Sequence, residues 1–116
     1  MVHVVEPLDR AFYPELTPPF PTALAEIERA RVHAGNELVK RAVSRLQAGG
    51  YAAGGKMLRG HVRSAILDAA EKWPADMILL GCRGRTGVKR VLLGSVSDQV
   101  ACQAHCSVLI VRPKGL

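Results

Sequence analysis

The sequence predicts an α/β domain with a mostly parallel sheet, and three observations carry that reading. Short β-branched or apolar runs at Val2–Val5, Met77–Leu80 and Ser107–Val111 alternate with longer stretches of helical period. The helical stretches end on strong stop signals, Gly49-Gly50 and Pro74. Met77-Ile78-Leu79-Leu80 is continuously apolar, as strands buried on both faces are.

Taken in order, Val2-His3-Val4-Val5 reads as a buried strand closed by Glu6-Pro7. Residues 7–21 carry Pro7, Pro14, Pro18, Pro19 and Pro21, too many for a helix or a central strand, and read as a loop. From Thr22 to about Gln47, Ile27, Ala30, Ala34, Leu38, Ala42 and Leu46 recur at close to helical period. Lys56–Arg59, bounded by Gly54-Gly55 and Gly60, is a second strand candidate. Arg63–Trp73 predicts a helix with Ile66, Leu67, Ala70 and Trp73 on one side. Ser95-x-x-Asp98 has the form of a capping box, opening a helix to about Ala104, and Ser107–Val111 is the last strand. Crossovers between parallel strands are right-handed as a rule.

Composition narrows the function classes. The 116 residues fit a single domain spanning 1–116. A content of 48% hydrophobic and 4% aromatic residues makes the core aliphatic and leaves little for base-stacking platforms, which disfavours nucleic-acid binding. No apolar run reaches the roughly 20 residues needed to span a bilayer, and Met1-Val2-His3 lacks the build of a signal peptide, so a cytoplasmic protein without membrane contact is expected. Cys82, Cys102 and Cys106 are odd in number and read as free, small apolar residues. Cys102, His105 and Cys106 fall within one turn, but a zinc site wants four ligands and no second cluster exists, so no metal site is expected. His3, His33 and His61 have no acid or nucleophile at a telling spacing, so no catalytic residue is assigned.

The net charge of +6 is concentrated where it bears on function. Between Asp76 and Asp98 there is no acidic residue, while Arg83, Arg85, Lys89 and Arg90 lie there. Gly81 and Gly84 flank the exit from a strand, and Gly94-Ser95 opens the next helix. Glycines let backbone N–H groups approach a ligand, and a helix N-terminus offers free donors and the positive end of the macrodipole. The pattern therefore suits a split phosphate cradle, and a tight turn with an ordinary helix start is the structural alternative. It matches neither the dinucleotide fingerprint nor the P-loop.

The spacing Gly81-x-x-Gly84-nine residues-Gly94-Ser95, preceded by Met77–Leu80 and followed by Ser107-Val108-Leu109-Ile110-Val111-Arg112-Pro113, resembles the nucleotide-binding branch of the universal stress protein family. The resemblance runs from about Val2 to Pro113 and is most specific over residues 75–113. It implies a Rossmann-like three-layer sandwich, a homodimer joined along the last strand, Ser107–Val111, and bound ATP, with or without Mg. It places Gly81, Gly84, Gly94 and Ser95 at the phosphates and ribose, with Arg83, Arg85, Val96 and Ser97 close by. It matches Val4 to an adenine contact and Leu80 to the ribose side.

The chain departs from the family pattern at its start. The family's first strand, ending in an acidic residue that contacts the nucleotide, and its first helix have no counterpart, and the chain opens on the equivalent of the second strand. A strand and helix amount to about 30 residues. The absent strand would lie between Val2–Val5 and Met77–Leu80. Three arrangements are open: the two edges close on each other, a partner chain fills the gap, or upstream residues supply it. The leading expectation is a regulatory module that binds an adenine nucleotide with little or no hydrolysis, since no residue is placed as a general base. The alternative is a nucleotide-free dimerisation or interaction module of the stress response.

Overall fold

The computed structural model describes residues 1–6, 21–82 and 94–112. Residues 7–20 of the proline-rich stretch and the residues Arg83, Gly84 and Arg85 lie outside them, while Pro21, read as the end of the loop, is instead the first residue of a helix. The elements run β1 (Val2–Val5), α1 (Pro21–Ala48), β2 (Lys56–Arg59), α2 (Val62–Lys72), β3 (Met77–Gly81), α3 (Ser95–Gln103) and β4 (Ser107–Val111). Every strand and helix expected from the sequence forms, with ends shifted by a residue or so. Contacts group the chain into two compact units, Met1–Val62 and Arg63–Leu116. Each holds one two-stranded parallel sheet, β1 with β2 and β3 with β4.

In the first unit Val2 pairs with Lys56 and Val5 with Arg59. Proline suits the first position of α1 because that residue's N–H has no helical acceptor. The helix ends as Gly49-Gly50 foretells. Gly50 takes φ +90°, its N–H donates to the Gln47 carbonyl at 3.0 Å, and the Tyr51 N–H reaches the Leu46 carbonyl at 3.1 Å. These two reverse bonds satisfy carbonyls that a helix end would leave open.

The face of α1 turned to the sheet differs from the one the apolar count selects. Leu24, Gly35 and Val39 are buried, whereas Ile27 and Leu46 are exposed. Gly35 is the reason. A Cβ built there would stand 2.9 Å from the Met57 sulfur and 3.1 Å from His3 Cδ2, so helix and strands approach where no side chain intervenes. The buried face is thus rotated by about one residue, roughly 100°, from the predicted one. Gly55 does the same at the start of β2, where a Cβ would run into Val39 and lie 2.7 Å from Val43 Cγ2. At the other end of the strands, the Gly60 N–H donates to the Val5 carbonyl at 3.1 Å and the Val62 N–H to Glu6 Oε1 at 3.3 Å.

In the second unit β3 and β4 run in register from Met77 opposite Ser107 to Gly81 opposite Val111. Ala70 of α2, Ile78 of β3 and Val100 of α3 form the core, with Ile66, Leu67, Leu80, Val96 and Val108 packed against it. Burial of β3 on both faces, expected from its apolar run, is not found. Ile78 is buried, but Met77 and Leu79 are 55% and 64% exposed, and Leu109, opposite Leu79, and Val111, opposite Gly81, are exposed too. The helices of this unit cover one face of the strand pair, so the alternation along β3 follows the pleat. Trp73 also departs from expectation. It lies just past the end of α2 and is exposed.

Candidate functional site at the β3–α3 junction

Cys82, directly after β3, extends the parallel ladder, donating its N–H to the Val111 carbonyl at 3.1 Å. Its own carbonyl accepts from the Gly94 N–H at 2.8 Å. Three residues on, the buried Ser97 donates its hydroxyl to the Gly81 carbonyl at 2.7 Å. These two bonds bring the carboxyl end of β3 against the first turn of α3. Gly81-Cys82 and Gly94 through Ser97, far apart in sequence terms, become neighbours at the end of the strand where α/β folds place ligands.

Gly94 is the N-cap, with φ −59° and ψ 155°, and no side chain makes a cap hydrogen bond. The capping box read from Ser95 and Asp98 is therefore not formed. Ser95 is the first helical residue and exposed, and the Asp98 N–H makes the first helical bond, to the Gly94 carbonyl at 3.0 Å. A box needs its serine one position earlier, outside the helix, where its oxygen can turn back to the N–H groups. Gly94, lacking a side chain, offers no capping acceptor to the donors of this first turn. Gly81 adds room. A Cβ there would meet nothing within 4 Å among the described residues, and its φ is not positive.

Leu80, Gly81, Gly94, Ser95, Val96 and Ser97 are thus assembled in the second unit. Leu80 and Val96 are half-buried and pack on its core. Val4 is half-buried on β1, in the first unit. Ser97 holds the junction together rather than facing outward. The sequence did not mark Cys82 as part of the site, although its backbone joins β4 and the helix start. Its side chain, buried beside those two bonds, offers only the weak signal of a small apolar residue after a strand. Cys102, read from the sequence as a small apolar residue, is exposed, and Cys106 is half-buried. Among the described residues no three His, Cys, Asp or Glu side chains converge on a possible metal position.

A parallel α/β fold whose helix N-terminus is bonded back to a strand's carboxyl end is of the Rossmann-like class. Two solved structures share this fold. The hypothetical protein MJ0577 superposes with a TM-score of 0.78 at 23% identity, covering 99% of this chain and 75% of that one. Universal stress protein UspA from Lactobacillus plantarum gives 0.76 at 23% identity, covering 96% and 74%. Residues 1–112 match the sequence model of the Universal stress protein family, and the chain belongs to that family. It is 40% identical to Universal stress protein MJ0531 of Methanocaldococcus jannaschii over 78 residues, 67% of this chain and 46% of that protein. It is 34% identical to Universal stress protein Sll1388 of Synechocystis over 102 residues, 88% of this chain and 66% of that protein. The chain therefore spans about half of the first relative and just under two thirds of the second. No helix among the described residues is long and apolar enough to cross a membrane.

Proposed function

We propose that the chain is a cytoplasmic regulatory module that binds an adenine nucleotide, ATP with or without Mg, at the β3–α3 junction. The observation that carries this reading is the pair of bonds from Gly94 to Cys82 and from Ser97 to Gly81, which sets a helix start capped by glycine, with no side-chain cap, beside Gly81. Such a start favours anions through its free N–H groups and dipole. Arg83, Arg85, Lys89 and Arg90, with no acid between Asp76 and Asp98, add positive charge in the connecting sequence. Gly81, Gly84, Gly94 and Ser95 would meet phosphate and ribose, with Arg83, Arg85, Val96 and Ser97 around them, Leu80 beside the ribose and Val4 at the base. ATP supplies the charge that the site recognises, and the chain's residues bind and orient it. No residue is assigned a proton-transfer role, so turnover is expected to be slow or absent. The module would dimerise through β4, Ser107–Val111.

The test is ATP titration followed by thermal unfolding and equilibrium dialysis. A ligand that binds only the folded chain raises its stability by about 2.7 kcal/mol at a hundred times Kd. ATP is expected to raise Tm in a concentration-dependent way, and Gly84→Asp to abolish the rise while Lys40→Ala keeps it. Millimolar ATP that changes neither Tm nor dialysis would overturn the reading.

One observation favours a second reading, a nucleotide-free interaction module: the exposed apolar face formed by Met77, Leu79, Leu109 and Val111. It predicts self-association that ATP leaves unchanged, measured by sedimentation.

A further inference from the structure

We draw no further inference here: the strongest candidate, the exposed apolar face of the β3–β4 sheet formed by Met77, Leu79, Leu109 and Val111, carries nothing beyond the self-association already considered, because nothing among the described residues shows what covers it.

Discussion

The Ser97 hydroxyl donates to the Gly81 carbonyl across 2.7 Å, tying the first turn of α3 to the last residue of β3. Ser97, which the family resemblance places close to the nucleotide, is 5% exposed and turns its hydroxyl to the backbone. For the proposed nucleotide at Gly81 and Ser95, it would hold their backbones in place. Ser97→Ala is expected to lower stability by about 1 kcal/mol, the usual net worth of one such bond. It should also weaken ATP binding up to about tenfold, measured by denaturant unfolding and dialysis on the same sample. Unchanged stability would mean that the bond contributes nothing to the junction.

The two close approaches of the first unit should differ in cost. Gly55→Ala drives a Cβ against Val39 and Val43, whose branched side chains are stiff at χ1, and is expected to cost about 2–3 kcal/mol. Gly35→Ala meets the Met57 thioether, which can yield, and should cost about 1–2 kcal/mol. At Gly54 a Cβ meets nothing within 4 Å, so Gly54→Ala serves as the near-neutral reference. Urea midpoints of the three variants give the order directly, and a larger loss in Gly35→Ala than in Gly55→Ala would contradict it.

Val100 is fully buried in the second unit's core. Val100→Ala removes two methyl groups' worth of contact there and is expected to cost about 2–3 kcal/mol. Amide exchange should accelerate in α2, α3, β3 and β4 more than in β1 and β2. Equal acceleration in both units would show that they unfold as one cooperative body.

Gly50 at φ +90° terminates α1 through a conformation that side chains rarely adopt. Gly50→Ala should destabilise by about 1 kcal/mol although a Cβ there touches nothing within 4 Å. A shift in the thermal midpoint with no change in helical circular dichroism would be the signature.

The exposed strand face gives a prediction about association. Leu79→Thr with Leu109→Thr replaces two apolar side chains that are 64% and 50% exposed by β-compatible polar ones. Stability of the isolated chain should change by less than about 0.5 kcal/mol, as for surface substitutions, while sedimentation shows weaker self-association. A loss of 2 kcal/mol or more at concentrations where the chain is monomeric would mean that this face is covered within the chain.

Much of this protein was legible from local signals. Runs of β-branched residues, helical spacing, Gly49-Gly50 and Pro74 act over a few neighbours, and they locate all seven elements to within a residue or so. The glycine spacing from Gly81 to Gly94-Ser95 was readable for the same reason, since the family pattern lies in the chain itself. The rotation of α1 was not, because counting apolar residues treats Gly35 as empty when its lack of a side chain is what admits Met57 and His3. Nor was the exposure of Met77 and Leu79, since an apolar run reports that a strand can be covered on both faces and says nothing of what covers it.

Sequence alone therefore determined the element order, the parallel α/β class and family, and the positions of the glycines and cations that make the β3–α3 junction a candidate anion site. Tertiary structure decided which face of α1 is buried, which face of β3 is covered, that Gly94 rather than Ser95 caps α3, and that Ser97 locks the junction. The division has one physical origin. Backbone propensities and spacing act between near neighbours, whereas burial and hydrogen-bond partners depend on residues such as Gly81 and Ser97, which meet only once strand and helix have packed.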